Sequence, residues 1–340
     1  MNGPLTNAQQ ELPAPDVSVV LSVRNGGNDL PKAVATILEQ TFANFELIAI
    51  DNGSVDQTAQ FLDNLTDPRV RVYHHAEAGL AGALNRGISL ARGRYIARQD
   101  HDDWADRTRL EKQVRFLDQH PEHGLVGTRA EIWIGDRRTG RFHDHPTEDG
   151  ALRFELLFNN PFVHSSVMMR KAALDQVGVY TTDPARQPPE DYELWSRIAR
   201  RFRVANLSER LTIYREVPTS MSRAGVHPFR ERVKRISAEN LAMAAGRAAP
   251  EQVHFDIAAL MLGASEELSH AADIEQMCNV VRGAASKVFE GQFSREDAER
   301  VETRLKQLRR QFRFQSPGYR VARTVVRQVR GGMRRLKLFN

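Results

Sequence analysis

Tyr95-Ile96-Ala97-Arg98-Gln99-Asp100-His101-Asp102-Asp103 is the stretch from which the rest of the chain is read. Tyr95, Ile96 and Ala97 read as the end of a buried parallel strand, because strict alternation is missing and carboxylates follow at once. Three aspartates, Asp100, Asp102 and Asp103, then fall where the strand should stop. Such a cluster repels itself unless something positive sits in it. In open α/β sheets, ligands bind beyond the carboxyl ends of the strands, where these residues would lie. A hard divalent cation carrying a phosphate meets the requirement, since Mg²⁺ and Mn²⁺ favour carboxylate and phosphate oxygens. The competing account is a solvated turn whose Asp103 or Asp106 caps the next helix.

At 340 residues the chain has room for one large domain, or for one domain and a helical appendage. A single cysteine, Cys278, excludes an internal disulfide framework and fits a reducing, cytoplasmic setting. Met1 to Pro15 is polar and proline-containing, without the charged start and apolar core of a signal peptide, and reads as a flexible N-terminus. No apolar run approaches the roughly 20 residues of a spanning helix. The net charge of +5 conceals an asymmetry. Residues 301–340 hold 12 Lys and Arg against one acid, Glu302, so the remainder of the chain carries −6. An acidic body with a basic tail needs its own explanation.

Outward from the aspartates, the pattern is one of strands alternating with helices. Val17 to Val23 is a β-branched run followed by the turn signal Asn25-Gly26-Gly27. Pro31 to about Gln40 reads as a helix, Phe45 to Ile50 as a second strand, and Ser54 or Asp56 as the cap of a helix running to about Leu65. Val70 to His74 is a third strand. Leu80, Ala83, Leu84, Gly87, Ile88 and Ala91 recur at helical spacing. This alternation predicts βαβ units and a parallel sheet. Beyond it the reading is a helix from Arg107 to His120, a strand from Leu125 to Ile134, a helix over Leu152 to Phe158 and a short strand from Ser166 to Met169. A helix from Glu190 to about Arg201 and a strand from Val204 to Tyr214 follow, and from about Arg230 the chain is nearly all helix-forming. A boundary is expected near Gly225.

Several side chains are candidates for chemistry. Asp51, in Asp51-Asn52-Gly53-Ser54, is a second carboxylate at a strand end, suited to accept hydrogen bonds from a base or ribose; alone it reads better as a turn and helix cap, and the polar ends of strands one, two and four on one sheet edge shift the balance. Neither GxGxxG nor GxxxxGK[ST] is present, which disfavours dinucleotide oxidoreductases and P-loop NTPases. A diphosphate would then be handled by a metal and by cations such as Arg86, whose alternative is a solvated helix face. Glu190-Asp191 lies after two prolines at an aromatic helix start. There Asp191 is placed to take a proton from an attacking hydroxyl, with Glu190 sharing or assisting, although acids also favour a first turn for the helix dipole. His164 is a ligand or substrate contact, or else a hydrogen-bonded structural residue. Trp104, Trp133 and Trp195 are candidates to stack on sugar rings, although core packing is the better reading of Trp133.

With these residues in hand, the chain resembles the family 2 glycosyltransferases over about Val17 to Ser222. The resemblance is carried by Val19-Val20-Leu21-Ser22-Val23-Arg24-Asn25, Asp51-Asn52-Gly53-Ser54 and Gly79-Leu80-Ala81-Gly82-Ala83-Leu84-Asn85-Arg86-Gly87. Gly93-Arg94-Tyr95-Ile96, the DxD-like Asp100-His101-Asp102-Asp103 and Glu190-Asp191-Tyr192-Glu193-Leu194-Trp195 complete it. It implies a GT-A fold, a Rossmann-like α/β sheet flanked by helices, and inverting transfer from a nucleotide-diphosphate sugar, usually a UDP-sugar. By that likeness Ser22, Val23, Asn25, Asp51, Arg86, Asp100 and His101 would line the nucleotide sugar. Asp100 and Asp102 would serve the ribose and a Mn²⁺ or Mg²⁺ ion, and Asp191 would be the general base. Relatives often carry a histidine after the Tyr-Arg of the late strand, whereas here Tyr214-Arg215 continues as Glu216-Val217-Pro218; His164 or water would then complete the metal's ligands.

The expected organisation is a flexible 1–15, a nucleotide-sugar glycosyltransferase domain over 16–225, and an all-helical C-terminal region over 226–340. The acceptor would be a glycan or a lipid-linked oligosaccharide in surface polysaccharide synthesis. Arg320, Arg323, Arg327, Arg330 and Arg334 recur at helical spacing, which suits a peripheral anchor on an anionic membrane or a solvated helix. No nucleic-acid-binding module accompanies that charge. The rival readings are a metal-dependent nucleotidyltransferase and a non-catalytic sugar-nucleotide or glycan-binding module.

Overall fold

The computed structural model describes residues 14–74, 79–216 and 226–313. In chain order the elements are β1 (Val17–Val23), α1 (Leu30–Leu38), β2 (Phe45–Asp51), α2 (Thr58–Asp63), β3 (Val70–His74), α3 (Leu80–Leu90), β4 (Tyr95–Asp100) and β5 (Trp104–Ala105). Then come α4 (Arg109–Gln119), β6 (His123–Ile134), β7 (Arg137–His143), α5 (Asp149–Glu155), β8 (Met168–Arg170), α6 (Lys171–Val177), α7 (Glu190–Ala199) and β9 (Arg203–Glu216). Four helices close the described chain: α8 (Val226–Ala244), α9 (Gln252–Met261), α10 (Ile274–Val288) and α11 (Arg295–Arg313). The basic run from Arg320 to Leu338, the boundary near Gly225 and Met1 to Pro13 lie outside the described residues.

Among the described residues, one compact unit comprises 14–74, 79–144, Phe162–Tyr180 and 201–216. Its sheet has the order β3-β2-β1-β4-β8-β6-β9-β5, with β7 on β6. The half formed by β3, β2, β1 and β4 is wholly parallel, while β8 runs antiparallel to both β4 and β6. β1 and β2 are buried at every residue, as a parallel strand with both faces covered requires. The chain goes from β1 outward to β2 and β3, then returns to place β4 on the other flank of β1. The strand order therefore reverses between β1 and β4, and ligand crevices form at such switch points.

Local chemistry sets these elements. Pro31 opens α1, whose buried face is Leu30, Ala33, Val34 and Ile37. The glycine of Gly93-Arg94-Tyr95-Ile96 is required by close approach: a Cβ there would lie 2.6 Å from the Ser18 nitrogen and 2.8 Å from the Val17 carbonyl carbon. Ser18 Oγ accepts from the Gly93 N–H at 2.9 Å and donates to Glu46 at 2.7 Å. Burial pushes the Glu46 carboxyl up, yet bonds from Ser18, Arg92 and Arg71 outweigh this and leave it below its usual range.

Several elements differ from the sequence reading, among them α6, which it did not contain, and α5, which begins three residues earlier than expected. β4 continues three residues past Ala97, carrying Arg98 and Gln99 into the interior. β5 has only two residues and exists because Trp104 and Ala105 pair with Ile213 and Thr212 of β9. β7 is an exposed, arginine-rich edge strand that, among the described residues, pairs with β6 alone, and it has no apolar alternation to announce it. Of the two caps read for α2, Ser54 Oγ is taken by the Asn25 N–H, whereas Asp56 accepts from the Thr58 N–H at the helix start. Near α4, Asp106 accepts from the Thr108 N–H and Oγ, so Asp103 is not a helix cap.

Among the described residues, the second unit comprises His145–Pro161, Thr181–Arg200 and 226–313. It is helical, and it takes in two segments that the sequence places within 16–225. For the first the reason is apolar: Phe154, Leu157 and Phe158 pack with Leu241, Ile257, Leu260, Met277, Val281, Leu305 and Leu308 in one core. Polar ties reinforce it. Tyr192 Oη donates to the Leu156 carbonyl at 2.8 Å, Asn240 Nδ2 to the same carbonyl at 2.7 Å and to Ser196 Oγ at 2.8 Å. Among the described residues, no helix is long and apolar enough to cross a membrane.

Candidate active site

The register of the parallel half sets out the candidate site in the first unit. Val23, at the end of β1, stands opposite Asp51 of β2, and Ser22 stands opposite Asp100 of β4. Asp51 and Asp100 thus flank one strand end, two strand spacings apart, or about 10 Å. Asn25 sits in the turn beyond β1 with a φ of +56°, which asparagine tolerates. That turn is tied to the one after β2. Asn25 N–H donates to Ser54 Oγ at 2.9 Å, Gly26 N–H to Thr58 Oγ1 at 2.8 Å, and Val55 N–H to Asn25 Oδ1 at 2.9 Å. Ser22, Val23 and Asp51 are buried, and Asn25 and Arg86 exposed.

Asp51 is held by the Ser54 N–H at 3.1 Å and by His74 Nδ1 at 3.0 Å. Burial pushes its carboxyl up, but the bonds from Ser54 and His74 prevail and lower it. His74, unremarked in the sequence, also meets Asp63 at 2.9 Å, and its imidazole is raised by the bonds to Asp51 and then Asp63. The sign of the linkage follows. Stability from a raised histidine is complete below its ordinary value of 6.5 and is lost as pH climbs through the folded value; that from Asp51 is complete above 3.8 and is lost on acidification. Melting temperature is therefore expected to fall as pH rises past 6.5. Substituting His74→Gln should flatten that limb of the profile, and an unchanged slope in the variant would contradict the linkage.

At the end of β4, Arg98 is 1 % exposed and donates from Nη2 to Asp100. Burial pushes Asp100 up, but Arg98, then His164 and His101, outweigh it and keep its carboxyl below the usual range. Asp102 is displaced the other way, by burial and then by the charge on Asp100. Asp103, 2 % exposed, is raised well above its usual range by burial, Asp100 and Asp102. It is an anchor: it accepts from Ser165 Oγ and, at 2.7 Å, from the Arg215 N–H of β9. Beneath lies Arg109, fully buried, donating to the Ser165 and Arg98 carbonyls. Burial lowers its guanidinium to about 10, against the pull of Asp103. Arg98, Arg109 and Arg215 are the site residues that sequence reading missed; the one available signal was an arginine inside a buried strand.

This donor set fits a hard divalent cation. Two carboxylates, Asp100 and Asp102, stand at one strand end, and Asp102 is raised by burial and then by the charge on Asp100. His101 is half-buried between them. His164, in the turn before β8, places Nε2 3.0 Å from Tyr180 Oη, and Tyr180 is bonded through its backbone to Asn85 of α3. Burial and Arg98 lower the His164 imidazole to about 3, against Asp100. Among the described residues, the one group of three carboxylate or imidazole ligand atoms within 4.8 Å of one another lies elsewhere, at His120, Glu122 and His123. Asp100, Asp102 and His164 are not gathered that closely, and Mg²⁺ and Mn²⁺ commonly complete their shells with water and phosphate.

The second unit carries the other candidate. Glu190 and Asp191 begin α7, as the sequence predicts. Glu190 is 4 % exposed, and Asp191 half-buried. Asn160 Nδ2 donates to Asp191 Oδ2 at 2.8 Å, and the Tyr192 N–H to Oδ1 at 2.7 Å, which fixes the carboxylate's orientation. The stacking role read for two tryptophans is overturned. Trp195 is fully buried, and Trp104, at 4 %, lies under the Lys32 ammonium at 3.4 Å, the Arg215 guanidinium at 4.8 Å and the edge of Trp133. Trp133 is the one left half-exposed.

These strand-end acids on a switched sheet define a candidate ligand site of an α/β protein, and comparison with known proteins gives the family. Residues 18–178 match the model for glycosyl transferase family 2. A glycosyltransferase of Bacillus subtilis (strain 168), EpsE, is 34 % identical over 208 residues, which cover 59 % of this chain and 73 % of the relative. The Escherichia coli O-antigen biosynthesis glycosyltransferase WbnJ is 31 % identical over 205 residues, 58 % and 79 % of the two chains. The chain belongs to glycosyl transferase family 2 and is a glycosyltransferase. Its fold is shared with S. aureus TarS 1–349 solved with UDP-GlcNAc, at a TM-score of 0.58 and 18 % identity over 89 % of this chain and 92 % of that one. It is shared too with the Pyrobaculum calidifontis mannosyltransferase PcManGT solved with GDP-Man and Mn²⁺, at 0.52 and 19 % over 91 % and 83 %.

Proposed function

We propose that the protein transfers a sugar, with inversion, from a nucleoside-diphosphate sugar to a hydroxyl of a glycan or lipid-linked acceptor in surface polysaccharide synthesis. The observation that carries this reading is the register that puts Asp51 and Asp100 on either flank of the β1 end. Asp51 would take the base, Ser22, Val23, Asn25 and Arg86 the remainder of the nucleotide, and Asp100 and His101 the ribose and diphosphate side. Asp100 and Asp102 would hold a Mn²⁺ or Mg²⁺ ion, with His164 beside them; when bound, it would neutralise charge developing on the departing diphosphate. Asp191 would take the acceptor proton as the new bond forms at the anomeric carbon and the bond to diphosphate breaks. Glu190 would assist. The relatives support this: TarS and PcManGT are described with UDP-GlcNAc and with GDP-Man and Mn²⁺, and WbnJ with O-antigen biosynthesis.

The test is a melting-temperature survey of nucleoside diphosphates with and without Mn²⁺. A nucleotide at 100 times its Kd adds about 2.7 kcal/mol. One diphosphate, expected to be UDP, should stabilise the protein only with Mn²⁺; no shift with any of them would remove the donor-site assignment.

A further inference from the structure

His120-Pro121-Glu122-His123 forms the corner between α4 and β6, at the opposite strand edge from the carboxylate cluster. β6 runs parallel to β4, since each is antiparallel to β8, and His123 begins β6 whereas Asp100 ends β4. We infer that this corner is a site for a single Zn²⁺ ion or similar transition-metal cation, separate from the donor site, that clasps α4 to the sheet. Ligand atoms of all three side chains lie within 4.8 Å of one another. Glu122 Oε1 is 3.7 Å from His120 Nδ1 and 3.1 Å from His123 Nδ1. Ligands about 2.0–2.1 Å from a tetrahedral zinc stand roughly 3.3 Å apart, so these separations bracket the requirement. Two imidazoles with one carboxylate are a zinc donor set, whereas a hard ion would want more oxygens.

The corner is held in place before any ion arrives. Pro121 bars α4 from continuing, and the Arg170 side chain donates to the carbonyls of Leu117, His120 and His123. The Glu122 carbonyl accepts from the Arg203 N–H of β9 at 3.1 Å. Phe116 packs its ring 4.5 Å from that of His120 and 5.0 Å from that of His123, an apolar wall that sets the ring planes. The end of α4 adds the negative pole of a helix dipole. The side chains of His120 and Glu122 are 43 % and 44 % exposed, which gives an ion its way in and leaves a fourth position for water.

The experiment is titration of chelator-stripped full-length protein with Zn²⁺ in millimolar Mg²⁺, which occupies carboxylate sites and competes poorly for imidazole. One Zn²⁺ per chain is expected to bind, with affinity about tenfold or more weaker in His120→Ala and in the exposed Glu122→Gln, because even losing a supporting group costs that much. The Mn²⁺-dependent melting shift with nucleotide should persist in both variants, which separates this site from the donor site. Zinc binding that is absent in wild type, or equally tight in Glu122→Gln and His120→Ala, would overturn the inference.

Discussion

Asp191→Asn is expected to lower glycosyl transfer by about 10²–10⁴-fold, the contribution of a placed general base, while leaving donor affinity unchanged. The loss corresponds to about 3–5 kcal/mol in the barrier. The structural cost should be much smaller, because asparagine retains a carbonyl oxygen for the Tyr192 N–H and Asn160 can turn its amide to meet the new one. What remains is the loss of one acid from the first turn of α7, about 0.3–1 kcal/mol of dipole interaction. Measuring kcat alongside the melting temperature separates the two. A variant that melts like wild type and still transfers sugar at full rate would dismiss Asp191 as the base. Residual activity abolished only by adding Glu190→Gln would move the role to its neighbour.

Asp102→Asn should invert the effect of the cation on stability. In the absence of metal, the Asp102 carboxyl is raised by burial and by Asp100. Stability tied to a raised carboxyl is complete below the ordinary value of 3.8 and is lost as pH rises through the folded value. At neutral pH wild type bears that loss and the asparagine variant does not. The cation-free variant is therefore expected to melt at or above wild type, although it has lost a carboxylate from the donor site. With Mn²⁺ and nucleotide diphosphate the order should reverse, since the variant forgoes the gain of about 2.7 kcal/mol available at 100 Kd. A variant that loses cation-free stability and retains the Mn²⁺-dependent gain would show that Asp102 is a structural residue.

The parallel half of the sheet was legible because its physics is local. Val17 to Val23 and Phe45 to Asp51 are buried on both faces, so apolar runs with turn residues after them mark both the strands and the strand ends. Asp51, Asp100 and Asp102 could be placed at one edge from that pattern alone. What the sequence concealed depends on partners far along the chain. Asp103 looks like its neighbours in the aspartate run, yet its acceptors are filled by Ser165 and by the backbone of Arg215, 112 residues away. Arg98 and Arg109 are buried cations whose reason is that acidic cluster, and nothing in a helix or strand period announces them. Trp104 and Trp195 carry aromatic rings suited to sugars, but packing covers both. The same holds for α5, whose Phe154 belongs to the helical core, and for α7, whose Ser196 is tied to Asn240 of α8, even though the chain reaches both before β9 is complete.

The most direct test of the central claim is the identity of what leaves. Protein incubated with the nucleotide sugar that stabilises it, Mn²⁺ and an acceptor glycan should release one nucleoside diphosphate per sugar transferred, with the anomeric configuration of the new linkage opposite to that of the donor by NMR. Release of pyrophosphate in place of the nucleoside diphosphate, or a linkage with the donor's configuration retained, would contradict the account.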